Sequence, residues 1–576
     1  MRKKIAFFLI LASWSGLLAG CPGRMIKTDG QTGTEVTTAP AAQRTDSSAP
    51  AYYYFTVAQM KLKQGQASEA QYYLEKAGQY DPQSAVIKLE LANLFVMRQK
   101  PDDALALVQQ VLSTDPNNVE ALLLAGRIHL QRGEVKEAKV LFERALAQNP
   151  ADPNVYLQLG RIYWNENDLT NAERVFQVMV DNFPSSYAAY FFSGKVLSAQ
   201  GKYEPAIAAF NKSLALEPSL DEARFELINI YRARKQTAKV IQTYEEILVY
   251  SPDNTAAAFE LAVEYNKLGR KDRAAALLQS LGERSTQDTA VLTYVLENYL
   301  EPKQYEKATW AVEGMLKGAP QSSELHYLAG VAYDGQKETQ KALDHLAKVE
   351  PTSRFYENAV VHRAVLYRDK GQIDQSIAVI EQALVADPDT ADYYLYLGSF
   401  YEELGRYDDA IATLEKGAGI DEQNYRIFFR LGVVQDKAGN KQAAIDAMKR
   451  VLKLEPDDVE ALNFLGYTYA DLGIHLDEAE ALIQRALSKK PDDGYIADSL
   501  GWVYYKQGNY EEALKWLNRA ISLVPEDPII LEHAGDAHLK LDQKEKALKY
   551  YRHSLEVQKK DRTQLEEKIR ALNGKP

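Results

Sequence analysis

The chain has 576 residues, 46% of them hydrophobic, and a formal net charge of −12. That leaves ample apolar material for a core. The acidic balance argues against nucleic acid as the main partner, because phosphate binding relies on clustered Lys and Arg. Cys21 is the single cysteine, which excludes an internal disulfide.

The chain opens on Arg2-Lys3-Lys4 and a 14-residue, mostly apolar run from Ile5 to Leu18. A membrane-crossing helix needs about 20 residues, so this run reads as the core of a signal. Leu18-Ala19-Gly20-Cys21 follows and resembles a bacterial lipobox. The resemblance implies a lipoprotein signal peptide over 1–20 and a palmitate-type acylation of Cys21, which becomes the first mature residue. The alternative is an ordinary cleaved signal with an incidental cysteine. Residue 22 is Pro rather than Asp, and in lipoproteins of this type that favours the outer membrane. Residues 21–50 are then the acylated cysteine and a tether rich in Thr, Ser, Gly, Ala and Gln. Its root-mean-square reach is about 30 Å, which predicts repeats held off the membrane and free to turn. No later run of about 18 apolar residues offers a second anchor.

From residue 51 one pattern recurs. Pro82, Pro116, Pro150, Pro184, Pro218 and Pro252 stand 34 residues apart, and Pro320, Pro388 and Pro456 keep the phase. One extra residue between Gly473 and Glu478 moves the next to Pro491, and Pro525 follows. Fifteen repeats result, starting at 51, 85, 119, 153, 187, 221, 255, 289, 323, 357, 391, 425, 459, 494 and 528. The clearest is Val119 to Pro150, whose apolar residues recur every three or four places, with a break at Gly133-Glu134. That predicts two helices per repeat, the second stopped by proline. This period and pattern resemble the tetratricopeptide repeat (TPR). The resemblance implies an all-α TPR solenoid, a right-handed superhelix over 51–560 in which each repeat packs only on its neighbours, with a capping helix over 561–576.

Place 8 of the repeat is Gly in nine repeats and Ala in four, and place 20 is Ala in thirteen. Both positions predict a close helix crossing. Nine mid-helix glycines cost roughly 9 kcal/mol against alanine, so packing must return at least that much. Repeat 6 departs with Ile228 and Val240, repeat 8 with Leu296, and repeat 9 with an early Pro351. Either the superhelix changes pitch, with a hinge, between 221 and 354, or these repeats have only drifted. After Lys559, Asp561 to Gln564 resembles a helix cap, and Leu565, Ile569 and Leu572 form one stripe.

No catalytic motif is present: no phosphate-cradling G-x-x-x-x-G-K-[ST], no G-x-S-x-G, no H-E-x-x-H. His533 and His538 are separated by about 140° on a helix, so surface or packing roles outweigh a metal site. No cofactor is expected. In TPR proteins places 2, 5, 9, 12 and 13 commonly face a concave groove. Arg127, Arg161 and Lys195 at place 9, beside Trp164, would form a basic ladder able to grip carboxylates, or ordinary charged surface. Glu402, Glu403, Asp436, Asp471, Asp498, Glu532 and Asp536 fall at groove places among Tyr467, Trp502 and Tyr505. They suggest an acidic, aromatic end for a basic or apolar partner. The Lys-at-5, Asn-at-9 pairing of chaperone-tail clamps is absent.

Residues 461–521 also resemble the C-terminal part of large TPR lipoproteins of Gram-negative bacteria. That likeness implies an outer-membrane scaffold or adaptor that binds and positions periplasmic proteins. It extends to presenting substrates to a periplasmic carboxyl-terminal processing protease. The alternative is a structural part of an exopolysaccharide-export or secretion assembly. Neither reading fixes the oligomeric state, or excludes exposure at the cell surface.

Overall fold

The computed structural model describes residues 48–558 and 562–573. The expected signal peptide, Cys21, the expected tether up to 47, and Asp561 lie outside them. Among the described residues there are 31 α-helices, one π-helical segment and no strand. The described residues divide into two compact parts, one up to Ser185 and one from Ser186 onward. Each is an array of antiparallel helix pairs.

The first helices of the pairs begin at Ser48, Ala85, Val119, Pro153, Tyr187, Asp221, Thr255, Thr289, Ser323, Tyr356, Ala391, Tyr425, Val459, Gly494 and Pro528. Two starts differ from the sequence reading. Ser48, Ala49 and Pro50, read as tether, form the first turn of a helix, Ser48–Lys63, where proline is tolerated. Tyr356 replaces residue 357.

Repeat 3 shows how the residues specify the unit. Asn118 caps helix Val119–Gln131, its side chain accepting from the Ala121 N–H at 3.0 Å. Gly133 then turns the chain at φ +77°, a left-handed conformation that costs glycine nothing. The second helix, Val135–Gln148, runs back and ends one residue before Asn149-Pro150. The same left-handed residue recurs once per repeat, at places supplied by Gly65, Gly201 or Gly405 but also by Gln99, Asn167, Lys235, Lys303, Lys337 and Asp542. The inserted residue near 475 adds an extra one: after Gly473, His475 is left-handed at φ 48° and starts helix Leu476–Lys489.

The glycines at place 8 have a more specific job than general closeness. A Cβ on Gly126 would lie 2.7, 2.8 and 3.1 Å from three ring atoms of Phe142, at place 24 of the same repeat. Gly194 meets Phe210 in the same way, Gly432 meets Met448, and Gly501 meets Leu517. The glycine makes a socket for a large, fully buried side chain. Where place 8 is Ala, place 24 carries Leu74, Val108, Leu278 or Ile380, never an aromatic ring. The alanines of place 20 are buried at the crossing. Ser376, which stands in for one, donates to the Ala364 carbonyl at 2.8 Å.

Repeats 6 to 9 show drift rather than a break. One continuous core runs from Ala206 to Leu366 across them, and the division of the chain falls at 185/186 instead. In repeat 8 the first helix, Thr289–Val295, passes into a π segment, Leu296–Leu300, at the position where Leu replaces the small residue. The tight crossing has moved: a Cβ on Gly282 or Gly314 would strike the Met315 backbone or the Leu278 side chain, respectively. The small residues here join the second helices of repeats 7 and 8. Pro351 shortens the second helix of repeat 9 to Thr339–Leu346.

The last helix, Thr563–Leu572, packs Leu565 with Tyr551, Ile569 and Leu572. Arg562 makes no side-chain cap bond to this helix, and Asp561, the first residue of the expected cap, lies outside the described residues.

Candidate protein-binding groove

The first helices carry the candidate residues. In the first part, Arg127 is exposed and donates to Asn93 Oδ1, 34 residues earlier, at 3.1 Å. Arg161 is exposed and has neither hydrogen bond nor ion pair; Trp164 is part-buried. Lys195 belongs to the second part, where Glu226 stands 3.7 Å away. The three cations are therefore not equivalent: Arg127 and Lys195 are engaged with neighbouring repeats, and Arg161 is free.

The acidic end is also largely answered from within. Glu402 is part-buried and bound by Arg430 at 3.1 Å and Lys437 at 2.8 Å. Asp436 pairs with Lys441 at 2.8 Å. Glu532 and Asp536 share Lys568 of the last helix, at 2.8 and 2.7 Å. Asp471 keeps an unpaired, exposed carboxylate, since Lys506 donates to its backbone carbonyl.

Between these charges lies an aromatic stack. Trp502 sits between Tyr505, 4.7 Å away and parallel within 4°, and His533, 4.0 Å away within 15°. His533 Nδ1 approaches Asp498 at 3.0 Å, and Lys506 lies over the indole at 4.9 Å. Trp502 is nearly buried, so it is a wall and not an exposed contact. Its Nε1–H has no acceptor. Burial, then Asp471, Asp498, Asp436 and Glu532, push the Tyr467 hydroxyl far above its usual range. Burial and Asp536 raise Tyr505 to about 12. Both stay neutral hydrogen-bonding groups at physiological pH.

Next to Tyr467 is an opening the sequence did not signal. A pocket of about 270 Å³ lies between helices Val459–Leu472 and Gly494–Lys506, lined by Asn463, Phe464, Tyr467, Tyr495 and Ile496 and rimmed by Glu460, Lys490 and Asp493. The side-chain oxygen of Asn463 is enclosed there without a donor. The spacing of 34 could have located these lining residues at places 2, 3, 5, 6 and 9 of adjacent repeats, but not the cavity between them. His538 packs within its own repeat: its Nδ1 meets Gln543 at 2.9 Å and its ring stacks on Tyr550. No group of ligating residues suited to a metal occurs among the described residues.

Sequence models of the tetratricopeptide repeat match residues 61–128, 95–141 and 129–191, 187–220, 363–425, 429–494 and 530–561, and a further TPR repeat model matches 501–542. Together they take in more than half of the chain. The chain belongs to the tetratricopeptide repeat family. A TPR repeat-containing protein of Pseudomonas aeruginosa is 27% identical over 193 residues, 33% of this chain and 32% of that protein. The match thus spans about a third of that relative's length. Among solved structures, the crystal structure of MamA is 31% identical with a TM-score of 0.27, covering 28% of this chain and 95% of MamA. The APC/C hetero-tetramer Cut9–Hcn1 is 15% identical with a TM-score of 0.36, covering 84% and 95%. None of these likenesses names a partner for this chain.

Proposed function

We propose that this TPR array is a scaffold that binds an extended segment of another protein in the groove of repeats 13 and 14. The pocket at Asn463, Phe464, Tyr467 and Tyr495 carries the reading. Its walls are largely apolar and aromatic, which suits one large side chain. The neutral Tyr467 hydroxyl and the free Asp471 carboxylate continue the surface toward a polar or basic neighbour on the same segment. Rigid aromatic anchors of this kind hold most of the binding energy in protein interfaces.

The lipobox-like start places the scaffold, in this reading, on the periplasmic side of the outer membrane through acylated Cys21. A substrate-presenting adaptor for a carboxyl-terminal processing protease is the specific role that the likeness over 461–521 favours. The test is an affinity capture from gently solubilised envelopes, comparing the native chain with Asn463→Ala/Tyr495→Ala and with Arg161→Glu. A protease and its substrates lost only with the pocket variant would support the adaptor role. Export or secretion machinery retained by both variants would instead favour a structural part in that assembly. Partners lost only with Arg161→Glu would move the binding surface to the first part.

A further inference from the structure

The first repeat ends the described array with a face that no other helix among the described residues covers, and that face is rich in tyrosine. Tyr52 is 74% exposed, Tyr53 62%, Tyr72 54% and Tyr80 46%. Around the half-buried Tyr54 the rings form one connected cluster: Tyr53 at 5.3 Å, Tyr80 at 5.5 Å and Tyr73 at 6.3 Å, with Tyr72 5.3 Å from Tyr73. Met60 is exposed on the same helix as Tyr52 and Tyr53. Terminal repeats of soluble arrays carry a polar outer face, because nothing stacks on them. The other end of this chain follows that rule with helix Thr563–Leu572, which covers Tyr551 and offers Glu566, Glu567 and Arg570 outward. The first repeat does not.

The rings favour one occupant. Tyrosine has an apolar body and a polar tip, and it concentrates at membrane–water boundaries for that reason. The first repeat is also electrically balanced in an acidic chain: Lys61, Lys63 and Lys76 offset Glu69, Glu75 and Asp81, against −12 overall. Membrane approach by this end therefore meets no net repulsion from an anionic surface. The covalent geometry agrees. Ser48, the start of the first helix, is 27 positions after Cys21, and if the residues between form the tether that their composition suggests, its reach is about 28 Å. A tether of that length holds the tyrosine face near the bilayer at high effective concentration; a second copy gains no such advantage.

We infer that the tyrosine face of the first repeat docks on the headgroup boundary of the membrane that holds Cys21, so that the array leaves the membrane at a set angle instead of turning freely. This rests on the lipid-anchored reading of Cys21, and the experiment separates the two. Cys21 is the only cysteine, so the purified chain, lacking its signal and acyl groups, is coupled through it to maleimide lipid in vesicles of zwitterionic and anionic phospholipid. A second sample is coupled to soluble maleimide-polyethylene glycol. Hydroxyl-radical footprinting with peptide mass spectrometry reads each tyrosine. Oxidation of Tyr52, Tyr53, Tyr72 and Tyr80 is expected to slow by about fivefold on vesicles, as for a mostly docked tethered face, with exposed Tyr187 and Tyr495 unchanged. Equal oxidation in the two samples overturns the inference. Protection in the soluble sample that grows with protein concentration also overturns it and assigns the face to a second copy. Tyr53→Ser/Tyr72→Ser should abolish the vesicle-specific protection of Tyr52 and Tyr80. Mass spectrometry of Cys21 in the native chain tests the anchor itself, and a missing acyl group leaves the coupled-vesicle result standing.

Discussion

Gly126→Ala sets two known effects against each other. Replacing a mid-helix glycine by alanine gains about 1 kcal/mol of helix propensity. At Gly126 the new methyl would meet the Phe142 ring at 2.7 and 2.8 Å, far inside the carbon–carbon optimum of about 3.5–4.0 Å. The ring is fully buried and must move by most of an ångström into packed neighbours. Overpacking of that kind costs about 1–3 kcal/mol, so the substitution should be neutral at best and destabilising by up to about 2 kcal/mol. Phe142→Leu empties the socket and should cost about 1–2 kcal/mol alone. The two together should cost less than their sum by at least about 1 kcal/mol. Repeats with Ala at place 8 already carry the smaller partner. An array of this kind opens locally, so the readout is hydrogen exchange of Val119–Gln131 and Val135–Gln148 in the two single variants and the double. Slower exchange in Gly126→Ala alone, or strict additivity, would refute the socket.

Other outcomes follow from the same structure. Lys337→Gly, at φ 65°, should raise local stability by about 0.5–1 kcal/mol, since left-handed strain of about 1–2 kcal/mol exceeds the added entropy of glycine; a lower melting temperature would contradict it. Ala410→Leu, at a fully buried crossing, should destabilise by about 1–3 kcal/mol, and an unchanged melt would argue against the register. Burial lowers His326 and His345, whose Nδ1 atoms stand 3.0 Å apart and cannot both carry a proton there. Their folded values lie below the unfolded value of about 6.5, so their contribution is present above that pH. It is lost as pH falls from there through the lowered folded values. Thermal melts from pH 7.5 to 5 should show this loss, and His326→Gln/His345→Gln should flatten the profile.

The helical period was legible because it is written in local sterics. Proline at place 32 follows the end of the second helix, and glycine at places 8 and 15 marks the crossing and the turn. The non-glycine turns at Lys235, Lys303 and Lys337 were not legible, because no side-chain type demands a left-handed backbone there. Phe142 and Gly126 were both visible, but their contact depends on how two helices lean together. The groove charges were read with the correct signs but too much freedom. Glu402 looked open until Arg430 and Lys437, 28 and 35 residues later, closed on it. Lys568 belongs to the last helix and neutralises Glu532 and Asp536 across repeats, a partnership set by rotamers. The pocket at Asn463 is a gap between two helices, and no single residue announces it.

The central claim is that the groove of repeats 13 and 14 holds a partner segment. The most direct measurement places a photo-reactive amino acid at residue 495 in the full chain, with a control at residue 140, an exposed position on the second helix of repeat 3. Illumination in intact envelopes should yield a discrete protein adduct from 495, lost when Asn463→Ala is added, and none from 140. Equal adducts from both positions, or none from 495, would contradict the claim.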